Sequence, residues 1–127
     1  MSRIQRIDGI YDRSTWKLLR GAGITHYAFD FRPKSFNFLQ QYLFLDLMQN
    51  EYMRSEKYFL CYENETDYIV QKMLDDLFNL LGKNYSETEI RANFFLEFSD
   101  QKEMDFYEHF SMPYYWHYQE ETDWKKI

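Results

Sequence analysis

Four ionisable side chains fall near the carboxyl ends of apolar, aromatic segments of this sequence: Asp8, Glu63, Glu97 and His117. Three carboxylates and an imidazole brought to one place can bind a divalent metal or a cationic ligand. No His-x-x-His or similar ligand spacing joins them, so no metal is expected. The plainer reading is preferred: strand ends are wet, and acidic residues there are solvated or cap the following helix. Lys34 and Ser35 follow Pro33 and can touch a small anion, although a turn that carries a proline explains them as well. Asp30 stands between Phe29 and Phe31 and needs a cation such as Arg6 or Arg32 if it is buried. Cys61, within Phe59-Leu60-Cys61-Tyr62, reads as a packed small hydrophobe, because no neighbouring His or Lys lowers its pKa.

Those residues must be placed by regular elements, and short apolar runs alternate here with helical patterns. Residues 4–10 read as a strand, and Asp12 or Ser14 caps a short helix whose apolar side is Trp16, Leu18 and Leu19, ended by Gly21 and Gly23. Residues 24–31 are a second strand that stops at Arg32-Pro33. A helix over about 39–53 puts Tyr42, Leu43 and Leu47 on one side, and residues 58–62 are a third strand. Asn64 or Thr66 then caps the helix marked by Ile69, Met73, Leu77 and Leu80, and Gly82 ends it. Residues 93–98 are a fourth strand, Asp100 and Glu103 open a helix through Phe110, and residues 112–118 are a fifth strand. The predicted order is βαβαβαβαβ, with about 20 to 35 residues per unit, enough for a crossover helix each time.

This alternation predicts an α/β fold with a parallel sheet of about five strands and right-handed crossovers. Residues 1–118 form one domain and residues 119–127 a polar tail. No Gly-rich fingerprint follows a strand, since Gly9 stands alone and Gly21-Ala22-Gly23 follows a helix, so no nucleotide cofactor is expected. A flavodoxin-like open sheet and a piece of a (β/α) barrel both remain.

Composition narrows the function classes. The 127 residues carry 15 Lys+Arg against 21 Asp+Glu, a net charge of −6 with no basic tract, which disfavours nucleic acid. The 12 Tyr, 12 Phe and 3 Trp can supply a core, so runs such as Phe94-Phe95 and Tyr114-Tyr115-Trp116 are read as packing before base or sugar stacking. A single cysteine excludes an internal disulfide and a Cys-based zinc cluster. No segment has the length of a membrane span or the apolar core of a secretory signal, and a cytoplasmic protein is expected.

The spaced motifs resemble one family. Arg6-Ile7-Asp8-Gly9-Ile10 is similar to the first strand, K-I-C-G-I, of phosphoribosylanthranilate isomerases. Ala28-Phe29-Asp30-Phe31-Arg32-Pro33-Lys34-Ser35 resembles their second strand and loop, G-F-x-F-x-P-K-S. Tyr62-Glu63-Asn64-Glu65 falls where F-V-N-E is written, and Phe95-Leu96-Glu97-Phe98 where Q-L-H-G is. The resemblance implies a partial TIM-type barrel, because eight β/α units take about 200 to 250 residues. It also implies an isomerase ancestry, in which a ribosylamine is opened and a proton moves between carbons under a general acid and a general base.

At the motif positions the chain departs from the family. Asp8 replaces the cysteine base, Glu97 replaces the histidine, and Asn37 replaces the arginine two residues after P-K-S. The acid and the phosphate site belong to later units. The expected function is therefore a catalytically lapsed binding or assembly module that self-associates through exposed sheet edges. The alternative is a sugar-phosphate type isomerase with Asp8 as general base and Glu97 beside it, its missing groups supplied by a partner chain. Lys34, Ser35, Asn37, Glu63 and His117 are the expected ligand contacts, and a small anion the expected ligand.

Overall fold

The computed structural model describes residues 5–63, 67–98 and 114–116. The helix predicted over 100–110, the caps Asn64 and Thr66, His117 and the tail 119–127 lie outside the described residues. The elements run β1 (Arg6–Asp8), α1 (Arg13–Gly21), β2 (His26–Asp30), α2 (Gln41–Glu51), β3 (Lys57–Tyr62), α3 (Asp67–Leu81), α4 (Glu87–Asn93), β4 (Phe94–Phe98) and β5 (Tyr114–Trp116). All neighbouring strands are parallel and their spatial order is β1-β2-β3-β4-β5. Each crossover therefore steps one strand in the same direction. That is the winding of a (β/α) barrel; a flavodoxin-like sheet reverses direction partway. No helix among the described residues is long and apolar enough to cross a membrane.

Local signals set most boundaries. Asp12, not Ser14, caps α1, its carboxylate accepting the Thr15 N–H at 2.7 Å. Trp16 is fully buried but Leu18 is 76% exposed, because two residues turn a helix by roughly 200°. In α2 the buried stripe is Phe44, Leu47, Met48 and Glu51, while Tyr42 and Leu43 face solvent, contrary to expectation. Phe44 claims the inner position because its ring meets Phe29 and Phe31 edge-on, each at 5.1 Å. The stripe of α3 is Val70, Met73, Leu74, Leu77 and Leu81, which leaves Ile69 half-exposed and Leu80 only partly buried. Sequence reading missed α4 altogether. It has seven residues with one buried apolar side chain, Ile90, so periodicity is silent; the signal was Ser86, whose hydroxyl accepts the Glu89 N–H at 3.2 Å.

The core lies on the helix side of the sheet. Alternate strand residues Tyr27 and Phe29, Tyr58 and Leu60, and Phe94, Leu96 and Phe98 are all fully buried there. Trp16 of α1 packs its ring against Tyr27, Phe29 and Tyr58 at 5.4–5.8 Å.

The intervening residues make the opposite, inner face, and it is unlike a barrel interior filled with branched apolar side chains. One row across β1, β2 and β3 is Arg6, His26 and Lys57, the next contains Asp8, Ala28, Phe59 and Phe95, and a third contains Asp30, Cys61 and Glu97. Arg6 lies over the Phe59 ring, 4.4 Å from its centroid, two residues beyond its register partner on β3. Such an offset is what strands tilted within a barrel wall produce. The inner face is thus charged at both ends, with the stacked pair Phe59 and Phe95 at 5.0 Å between them.

Candidate functional site

The carboxyl ends of parallel strands are where α/β folds collect chemistry, since loops there are free to vary while the sheet holds their roots. Here those ends enclose a small cavity of about 40 Å³. Asp8 and Gly9 close it from β1, Ala28, Asp30 and Arg32 from β2 and its loop, Cys61 and Tyr62 from β3, and Glu97 from β4. It has room for about one or two waters.

Its charges are held by one another. Arg6 donates through Nη1 to Glu97 Oε2 at 2.6 Å and through Nη2 to Glu97 Oε1 at 2.8 Å, a bidentate fork, while its Nε meets Asp8 Oδ1 at 2.6 Å. Arg32 binds Asp30 in the same way, from Nε at 2.9 Å and Nη2 at 2.7 Å, and its backbone N–H adds a third bond at 3.0 Å. The expected partner of Asp30 was Arg6 or Arg32, and Arg32 is the one in place. Glu97 and Asp30 are buried; the Asp8 side chain is 62% exposed.

Gly9 carries a left-handed φ of +80°, and a Cβ there would come within 2.5 Å of Asn37 Nδ2. Asn37 is therefore packed against the β1 turn and does not open toward the cavity. Ser35 turns inward: its hydroxyl accepts the Asn37 N–H at 3.2 Å and hydrogen-bonds Asp30. Lys34 of the same loop is exposed and stands apart from the cavity. Glu63 is half-exposed just past β3; it is not in the cavity wall, yet its charge reaches Arg32. His117 lies outside the described residues. Of the expected site, Asp8 and Glu97 are brought together. Asp30 and Arg32, expected only as an ion pair, join them in the cavity wall. Reading by motif also missed Cys61 of that wall and Arg6, which binds Asp8 and Glu97 beside it. Both could have been found from alternation, since Arg6 shares a face with Asp8, and Cys61 shares one with Phe59 and Glu63.

The electrostatics follow from this pairing. Burial, reinforced by the Glu97 carboxylate, pushes the Cys61 thiol far above its usual range, although Arg6 pulls the other way, which disfavours the thiolate in the closed state. Burial by itself would raise Asp30, but its bonds from the Arg32 side chain, Ser35 and the Arg32 backbone outweigh it and hold the carboxyl below the ordinary aspartate range. A carboxylate depressed in the folded state adds stability that is present above its unfolded pKa of about 3.9 and is lost as pH falls through the lower folded value. Asp30→Asn is therefore expected to destabilise at pH 7 and to flatten the acid limb below about pH 4; urea midpoints from pH 7 to pH 2 test this, and an acid limb as steep as wild type's would refute it.

Among the described residues, no three His, Cys, Asp or Glu side chains are grouped to hold a metal. A second, apolar groove of about 230 Å³ lies on the helix side, between Phe31, Phe38 and Leu39 and the start of α3 at Ile69 and Met73.

No family model matches the chain, and no curated protein matches it. Two solved structures do. The phosphoribosylanthranilate isomerase from Thermotoga maritima has a TM-score of 0.64 at 12% identity, over 84% of this chain and 44% of that one. The isomerase from Thermus thermophilus has a TM-score of 0.69 at 10% identity, over 91% of this chain and 52% of that one. This chain spans about half the length of the isomerases it matches, and what it shares with them is the fold: parallel β/α units wound as part of a TIM-type barrel.

Proposed function

We propose that this chain is a half-length barrel relative of the phosphoribosylanthranilate isomerases that no longer performs their rearrangement. In this reading it serves as a cytoplasmic binding or assembly module and associates with a second copy through its open sheet edges. The observation that carries it is the mutual pairing at the rim: Glu97 is gripped bidentately by Arg6, and Asp30 by Arg32. A proton-transfer centre needs a base aimed at substrate in a desolvated setting. Asp8, at the position of the family's base, is exposed and held by Arg6. The cavity beside it is far smaller than the 300 Å³ or more of ordinary small-molecule sites.

The isomerase alternative draws on one observation, that Asp8 and Glu97 line the same cavity at the carboxyl ends of their strands. A bacterial tryptophan auxotroph lacking the isomerase separates the two readings. Expression of this chain is expected to give no growth without tryptophan, and growth that depends on Asp8 would overturn the lapsed reading. Sedimentation at micromolar concentration is expected to give a dimer or larger species; a strict monomer would remove the assembly role, because an unpaired parallel edge favours association.

A further inference from the structure

We propose that Arg6 is a strap built into the fold, reaching from the edge strand β1 across the inner face to β4, fixing the curl of the sheet and keeping the rim closed over Cys61. On a flat sheet β1 and β4 would stand roughly 14 Å apart, three strand spacings. Side chains also stand nearly upright on a sheet, so two of them that far apart would not meet. Arg6 and Glu97 nevertheless make two charge-assisted bonds of 2.6 and 2.8 Å between residues 91 positions apart in the chain. The contact requires β1 and β4 to lean toward each other over β2 and β3.

The guanidinium is seated on three further supports. Asp8 holds its Nε at 2.6 Å, the Phe59 ring lies beneath it at 4.4 Å, and Cys61 Sγ is 3.5 Å from Nη2. By contrast β1 itself is short: three residues that pair with β2 alone among the described strands, Ile7 its one apolar side chain and only partly buried, with the next anchor at Ile10 beyond the strand. In a closed barrel the inner layers are apolar and come from all sides of the wall. Here, among the described residues, Arg6 spans the face instead and ties the curled sheet from β1 to β4. Release of Arg6 from Glu97 frees β1 to move away and exposes Cys61, which is 8% exposed when the strap is closed.

Labelling of the Cys61 thiol in the folded, full-length protein tests it. Arg6→Met keeps bulk over Phe59 but removes the fork, and is expected to speed labelling on the order of tenfold or more, because bonds to a buried charge are lost. Loss of Arg6 also removes a cation that favours the thiolate, so faster labelling reports access and not reactivity. The increase should persist at low urea without a steep urea dependence, which marks local opening, and millimolar methylguanidinium should reverse it while methylammonium does not. Unchanged labelling, or an increase that tracks global unfolding in urea, would overturn the strap. Should Arg6→Met fail to fold, Glu97→Gln is read in the same way: intermediate acceleration supports the strap and wild-type labelling refutes it.

Discussion

Arg20→Met is expected to lower stability by about 3 kcal/mol and the melting temperature by roughly 10 to 15 °C. The side chain lies at the amino-terminal end of the sheet, opposite the rim cavity, and holds two buried carboxylates. Its Nη1 donates to Glu51 Oε1 at 2.8 Å, its Nε and Nη2 donate to the two oxygens of Glu56 at 2.8 Å each, and Nη2 also meets the Glu51 carbonyl at 2.6 Å. The Glu51 and Glu56 side chains are 5% and 3% exposed, so removing the cation strands charge in a low-dielectric setting. The effect sits at the lower end of the range for broken buried pairs because each carboxylate keeps one partner: Arg13 for Glu51, and for Glu56 the Tyr58 hydroxyl, which donates at 2.8 Å. Adding Glu56→Gln to Arg20→Met should recover a part of the loss, since the two act as one network. Thermal unfolding decides it, and a shift of only a few degrees would mean that water already reaches these carboxylates.

Trp16→Ala is expected to cost about 3 to 5 kcal/mol, the range for deleting a fully buried aromatic side chain. Trp16 is the keystone of the α1 packing: it is fully buried, it touches Tyr27, Phe29 and Tyr58, and the Arg20 guanidinium lies over it at 5.1 Å. Its indole N–H, however, has no hydrogen-bond partner among the described residues. A buried donor left unpaired carries a penalty of about 1 to 3 kcal/mol. Trp16→Phe removes that donor while keeping a ring in place, so it should cost far less than alanine, within about 1 to 2 kcal/mol of wild type. Urea unfolding of both variants separates the contributions; equal losses for Phe and Ala would show that the second ring of the indole, not the presence of an aromatic, holds the core.

The buried ion-pair network and the rim site lie at opposite ends of one sheet. The amino-terminal ends are tied by Arg20, Glu51, Glu56 and Tyr58. The carboxyl ends carry Asp8, Asp30, Arg32, Cys61 and Glu97, and the Arg6 guanidinium reaches them from the start of β1. Both ends use arginines to bind buried acids, and the difference lies in what surrounds them. At the amino-terminal end helices α1 and α2 cover the network, whereas at the rim the acids face a small cavity.

Much of the architecture was legible in the residues because it rests on short-range rules. Gly82 ends α3, Asp12 caps α1, and the spacing of β-formers placed β2, β3 and β4 within a residue or two. The errors were rotations about helix axes: Leu18, Tyr42, Leu43 and Ile69 face solvent, because the fit of the facing rings, not hydrophobicity alone, chooses which apolar residue turns inward. The short helix α4 escaped notice for want of a second apolar turn.

By itself the sequence determined that helices separate the first four strands from one another, that the strands run parallel, and that acidic residues gather at their carboxyl ends, since a local period and a crossover length point to parallel β/α units. It also offered Arg6 and Arg32 as candidate partners of Asp30, of which Arg32 is in place. Only the tertiary structure decided that the strands lie in sequential order, that the inner face is charged, and that Glu97 belongs to Arg6. The reason is physical: pairing between residues 91 positions apart depends on the curl and tilt of the whole sheet, and no local period encodes which side chains that curvature brings within reach.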